Sequence, residues 1–174
     1  MSSQSEQSPV LTAIFERRSV RQFTDAPVDR KRVMEAVRAA SWAPSGLNNQ
    51  PWRFALISDP KLKDDLAGLT RYASSLRGAA LLVAVFMDKE SSYDYVKDCQ
   101  AIGACIENLL LALHTQGLGA TWVGEILKNK EKVVELLGLP ERLELMAIVI
   151  VGEPAHRNQS SHRRPVEELI VLDK

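Results

Sequence analysis

Cysteine is scarce in this chain, and the little there is stands in the wrong places for covalent or metal work. Cys99 and Cys105 are the only two; six positions apart in a helical pattern, they do not share a face, and no Cys-x-x-Cys pair occurs. The three histidines, His114, His156 and His162, are scattered. A disulfide framework and a zinc site are therefore not expected, and a reducing cytoplasm is the simplest setting. Neither sign of charge is in excess: 22 Lys+Arg balance 22 Asp+Glu, which argues against a general nucleic-acid binder. No apolar run reaches membrane length, since the longest, Ala79 to Met87, is too short to cross a bilayer. The polar, Ser/Gln-rich start has no signal-peptide core, so residues 1–9 are expected as a flexible tail ahead of one domain over residues 10–174. The nucleotide fingerprints are missing as well. No GxxxxGK[ST] occurs, and Gly117-Leu118-Gly119 is followed by Trp122 where a dinucleotide fold needs glycine. Any phosphate-bearing cofactor must be held by side chains.

What is present is an ordinary globular composition, 45% hydrophobic and 25% charged over 174 residues, with alternating helix and strand patterns. Leu11, Ile14 and Phe15 mark a short amphipathic helix up to Arg17. Asp29 caps a second helix with Val33, Ala36, Val37 and Ala40 on one face. Trp52–Ser58 reads as a strand, Lys61–Leu76 as a helix broken near Gly68, and Ala79–Met87 as a strand buried on both faces. Asp94–Gln116 is the longest helix and is apolar nearly all round, more than a small domain can wrap alone, which favours a dimer. Short strand Ala120–Val123, helix Lys128–Leu137 and strand Leu143–Val151 follow, and Val166–Leu172 is apolar enough to pack as a strand, with a neighbouring copy as one candidate partner. The pattern predicts an α+β fold with its sheet sandwiched by helices.

Two polar segments stand out. Arg17-Arg18-Ser19-Val20-Arg21 gathers guanidinium groups, fork-shaped donors that stay charged at every working pH and suit a phosphate; arginines also serve the negative end of a helix, so a solvated helix terminus accounts for them too. Arg163-Arg164-Pro165 is a second cluster, similarly bare of acidic neighbours. Pro44-Ser45-Gly46-Leu47-Asn48-Asn49-Gln50-Pro51-Trp52 has the composition of a connecting loop. Yet Asn48, Asn49 and Gln50 also offer the alternating donors and acceptors that a planar heterocycle needs. Glu125 reads either as a general base or as a carboxylate opening a helix. Trp122 reads as a pocket wall or, more in keeping with its strand, as core. Both cysteines read as small buried hydrophobes, and His114 as a polar helix residue.

Together, Arg-Arg-Ser-x-Arg, Pro-Ser-Gly-x-Asn-x-Gln-Pro-Trp, Gly-Leu-Gly-Ala-Thr-Trp and Arg-x-Pro occur in an order that resembles the nitroreductase / NADH oxidase family, over Leu11 to Leu172. The resemblance implies a nitroreductase-like fold and an interlocked homodimer with two FMN sites at the subunit interface. It places Arg17, Arg18 and Ser19 on the phosphate and ribityl chain, with Arg163, and secondarily Arg164, completing the clamp. Arg21 would approach the pyrimidine edge. Pro44, Ser45, Gly46, Asn48 and Gln50 would bind the ring, the loop coming from the other subunit, and Gly124 and Glu125 would present backbone near its reactive nitrogen. Many members also carry a polar or basic residue just before the strand matching Ala79–Met87; here Ser74, Ser75 and Arg77 are the candidates. No long insertion separates Met87 from Tyr95 to serve as a lid. The implied activity is ping-pong transfer of electrons from NAD(P)H, the co-substrate, through FMN to a small flat acceptor such as a nitroaromatic or quinone. No metal is needed, and no catalytic acid or base. The alternatives are an FMN-binding carrier or redox sensor, a specialised dehalogenating or dehydrogenating relative, and a flavin-free anion-binding dimer.

Overall fold

A computed structural model describes residues 8–174. The expected N-terminal tail lies outside the described residues up to residue 7, and Pro9 already opens the first helix, α1 (Pro9–Glu16). After it come α2 (Arg30–Ala40), β1 (Trp52–Ile57), α3 (Pro60–Ala67), α4 (Ala73–Gly78), β2 (Leu81–Asp88), α5 (Tyr95–Thr115), β3 (Gly119–Val123), α6 (Lys130–Leu136) and β4 (Leu143–Gly152). Three 3-10 turns intervene, at Gly46–Asn48, Glu125–Asn129 and Val166–Glu168. Aspartates cap three of the helices, Asp29 as expected. The side chains of Asp29, Asp59 and Asp94 accept from the amides of Lys31, Leu62 and Lys97 at 2.8, 2.8 and 3.0 Å, satisfying amides that have no partner within the helix. Gly117, at φ +79°, ends α5 in the left-handed backbone that glycine adopts without cost.

The strands form one antiparallel sheet in the order β1-β2-β4-β3. Successive residues of β2 point to opposite faces, and both faces are covered. Val83, Val85 and Met87 pack with Ile102, Ile106, Leu109 and Leu113 of α5 and with Val33 and Ala36 of α2. Leu82, Ala84 and Phe86 pack with Leu66, Leu76, Ile126 and Val133 on the other side. A bulge falls between Val85 and Phe86, where the β4 partners jump from Ala147 to Leu145. It moves Leu145 to the same face as Ile148 and Ile150, so β4 serves both layers despite the break in alternation.

Within its own chain Val166–Leu172 forms the 3-10 turn and exposed coil. Val10, Leu11, Ile14 and Phe15 of α1 are exposed too. Along α5 the face bearing Gly103, Ala104, Leu111 and Ala112 is only half-buried, so the helix expected to be wrapped on all sides is covered on one side by its own chain.

Candidate functional site

Arg17 and Arg18 follow directly on α1, and the chain beyond them docks on the sheet edge. Ser19 bridges Ala120 of β3, the Val20 amide donates to the Ala120 carbonyl at 3.0 Å, and Thr24 donates to the Glu153 carbonyl at 2.9 Å. Val20 and Phe23 fill the space left by two glycines. A Cβ on Gly119 would stand 2.8 Å from Val20 Cγ1, and one on Gly152 would stand 2.6 Å from Phe23 Cδ1. This docking fixes the backbone while leaving the guanidinium groups largely uncommitted. Arg17 pairs with Glu107 of α5 at 3.3 Å, whereas Arg18 spends one nitrogen on the Phe15 and Arg17 carbonyls. The buried Nε of Arg18 has no partner among the described residues, while that of Arg17 meets only the Glu107 carboxylate of the ion pair. Arg18, Arg21, Arg163 and Arg164 have no acidic partner among those residues either. Arg163 contacts only the His162 carbonyl, 3.0 Å away on an exposed arm. Next to this cluster, burial and the charge of Arg157 hold the His114 imidazole below its ordinary pKa, so it adds no cation at neutral pH.

The loop after α2 is built very differently. Leu47, Asn48 and Gln50 all take left-handed backbone, at φ 53°, 54° and 47°. For a bulky residue such as Leu47 that is a strained conformation, costing about 1–3 kcal/mol. Ser45 Oγ accepts from the Gln50 amide at 3.1 Å and closes the loop on itself. Asn49 ties it to α5: its Nδ2 donates to the Ser91 carbonyl at 3.0 Å and to Asp98 Oδ1 at 2.7 Å. Gly46 lies under the Tyr93 ring, where a Cβ would overlap the phenol.

These two segments sit at different points along α5, a helix about 30 Å long at 1.5 Å per residue. The loop is anchored at Asp98 and the arginines at Glu107, so the anchors are about 13 Å apart along the axis. The sequence model of the Nitroreductase family matches residues 14–73 and 68–153, spanning both segments. The chain belongs to the nitroreductase family. It is similar to a Desulfovibrio desulfuricans protein, described as a nitroreductase and crystallised in complex with FMN. The two are 45% identical with a TM-score of 0.92, covering 97% of this chain and 98% of that one. An Archaeoglobus fulgidus relative described as an NADH dehydrogenase/NAD(P)H nitroreductase is 32% identical over 148 residues, 83% of this chain and 84% of its own. A Bacillus subtilis FMN reductase [NAD(P)H] is 25% identical over 176 residues, 91% of this chain and 71% of its own.

In this nitroreductase-family chain Gly124 and Glu125 follow β3, about 13 Å along the strand from Ala120, where Ser19 docks. Glu125 opens a 3-10 turn, and its carboxylate is fully engaged. It takes hydrogen bonds from Lys128, from Thr70 Oγ1 at 2.6 Å and from the Arg71 amide at 3.1 Å. Lys128 and then Thr70 lower its pKa to about 2, so it stays ionised and is no proton acceptor near neutral pH.

The segment brought against Glu125 is Thr70–Arg71, in the break between α3 and α4. Arg77, one of the three candidates before β2, pairs with Asp64 at 2.6 Å. Arg71 is exposed, its guanidinium 5.2 Å from the Tyr72 ring centre. Trp122, expected in the core, is 42% exposed because its position on β3 faces outward, with its indole nitrogen beside Gly124. Cys105 is buried, its thiol pushed up to about 12 by burial, and Cys99 is half-buried.

Two clefts, of about 680 and 410 Å³, lie elsewhere: one beside Lys130, Val134 and Leu145, the other beside Thr24, Lys63 and Arg77. Of the residues expected at the cofactor, only Arg77, one of the three candidates before β2, lines either. Each segment of the candidate site is an open surface of its own chain.

Proposed function

We propose that this chain is an FMN-dependent oxidoreductase that takes electrons from NAD(P)H by a ping-pong mechanism and passes them to a flat organic acceptor such as a nitroaromatic or quinone. It works as a homodimer whose two sites are each built from both protomers. The observation that carries the reading is the division of polar residues along α5. A two-fold axis through the half-buried middle of α5 would lay the loop end of one copy against the arginine end of the other. It would also cover Gly103, Ala104 and Leu111, and would offer the exposed α1 and Val166–Leu172 segments an apolar surface.

The donor set fits FMN. Arg17 and Arg18, the latter with an orphaned buried Nε, and Ser19 would hold the phosphate and ribityl chain, with Arg163 and Arg164 closing over it from the arm. Ser45, Gly46, Asn48 and Gln50 would face the ring with Pro44 beside them, while Gly124 and Glu125 line its other edge. Bound FMN supplies the hydride chemistry. The chain's contribution is to bind, orient and bias charge. Arg21, exposed and without an acidic partner among the described residues, would favour the negative charge that reduction builds at the pyrimidine edge. Arg71 would add a cation beside Glu125. Protons come from solvent, in keeping with a Glu125 carboxylate that stays ionised. With no lid among the described loops, the open face tolerates many flat acceptors.

The test is the visible spectrum of the purified protein, supplemented with FMN, before and after anaerobic NADH or NADPH. A flavin band that bleaches within the mixing time supports the reading. A band that persists with both nucleotides makes the chain a carrier or sensor, and failure to bind FMN removes the proposal. Sedimentation of the same sample reports whether it is a dimer.

A further inference from the structure

We propose that Asp98 is a positioning residue of this site: through the Asn49 side chain, its buried carboxylate holds the Ser45–Gln50 loop in the conformation that presents Ser45, Gly46 and Asn48 outward. The assignment rests on the FMN reading above.

Asp98 lies in the first turn of α5 and is wholly buried. Its two oxygens do separate work. Oδ2 accepts from Ser92 Oγ at 2.6 Å, the Tyr93 amide at 3.0 Å and the Asp94 amide at 3.3 Å, organising the turn that leads into the helix. Oδ1 accepts from Asn49 Nδ2 at 2.7 Å, across 49 positions of sequence. Serving the helix start would occupy one oxygen; the other is committed to the loop. Burial opposes the charge, yet the bonds from Ser92, Asn49 and the two amides outweigh it and leave the carboxyl below its ordinary pKa, so the acceptor stays ionised.

The orientation of Asn49 follows from its partners. Nδ2 faces two acceptors, the Ser91 carbonyl and Asp98, so the amide cannot be turned round without setting oxygen against oxygen. Its Oδ1 is consequently left buried without a donor. A polar group is kept unsatisfied to make this link. The loop's own bonds, Asn48 to Ser45, Asn49 to Gly46 and Gln50 to Ser45, are internal. They define its shape but do not attach it to the domain. Attachment falls to Asn49 and to Arg53, which donates to the Gln50 carbonyl at 3.1 Å. Tyr93, whose amide Asp98 holds, lies over Gly46. One carboxylate thus fixes the loop from both sides, and without it Leu47, Asn48 and Gln50 are free to leave the left-handed region.

The experiment titrates FMN into FMN-free wild-type, Asn49→Ala and Asn49→Asp proteins, following flavin fluorescence and the circular dichroism of the bound flavin, with inorganic phosphate as competitor. Asn49→Ala should raise the FMN dissociation constant about tenfold, change the flavin dichroism and leave the phosphate inhibition constant unaltered. Asn49→Asp keeps the size but sets a second carboxylate against Asp98, so it should bind FMN at least as weakly as the alanine variant. Wild-type affinity and dichroism in both variants, or in the aspartate variant alone, would overturn the assignment while leaving the FMN reading intact. A wild-type chain that binds no FMN would overturn both.

Discussion

The loop Ser45–Gln50 and the segment Arg17–Arg21, both expected to face the same cofactor, are held in opposite ways. The loop carries three strained non-glycine residues and is fastened by a buried carboxylate. The arginine segment is bolted down by its backbone, with Phe23 seated over Gly152, and its side chains are left mostly unpaired. The contrast follows from the forces each uses. Hydrogen bonds to a ring are directional and fail with small displacements, so their donors must be fixed in advance, even at a cost in strain. Attraction between guanidinium and phosphate falls off slowly with distance, so a fixed anchor with movable side chains suffices. Arg163 and Arg164, on an exposed arm, take that tolerance furthest.

The largest effect that can test this contrast is on the rigid side. Asp98→Ala should strip the acceptor from four donors, three of them from the turn before α5, and destabilise the fold by about 4 kcal/mol. Calorimetry should then place the thermal midpoint about 10 °C lower. A shift of only a degree or two would mean that the buried carboxylate fastens nothing.

On the tolerant side the expected loss is in binding. Arg17→Ala with Arg18→Ala should weaken FMN about 100-fold, near 3 kcal/mol, through two lost charge-assisted bonds. The salt dependence of binding should flatten, and riboflavin, which lacks the phosphate, should bind both proteins alike. Equal losses for FMN and riboflavin would show that these arginines do not serve the phosphate.

The two segments also differed in how openly the sequence displayed them. Arg17, Arg18 and Arg21 announce their chemistry by residue type, and the framework around them was readable from the Asp29 cap and the doubly apolar β2. The fastening of the loop was not. An acidic residue in a first helical turn, such as Asp98, is already explained by the helix dipole, and its partner Asn49 lies far away in sequence. The β4 bulge escaped notice because Leu143–Val151 is apolar at both parities, so a slipped residue leaves no mark. That Thr70 and Arg71 meet Glu125 is not legible either, because a break at Gly68 does not say where the chain turns. Val166–Leu172 has strand-like residues yet pairs with no strand of its own chain, and a strand is a property of a pair.

Glu125 combines the two strategies, being charged yet held by three donors, and it offers the smallest effect. With a pKa lowered from 4.5 to about 2, chiefly by Lys128 and then Thr70, it favours the folded state above pH 4.5, and that contribution fades as the pH falls toward about 2. Glu125→Gln should therefore lower the thermal midpoint slightly and by a constant amount above pH 4.5, with the gap to wild type closing below it. The group is open to water, so screening keeps the gap small. The kinetic consequence is sharper. A carboxylate already ionised throughout the neutral range can add no limb to the pH dependence of flavin reduction, so the profile should keep its shape in Glu125→Gln whatever happens to the absolute rate. If a limb near neutrality vanished with the substitution, Glu125 would be exchanging a proton during turnover, and the division between residues that bind and a cofactor that reacts would have to be redrawn at this position.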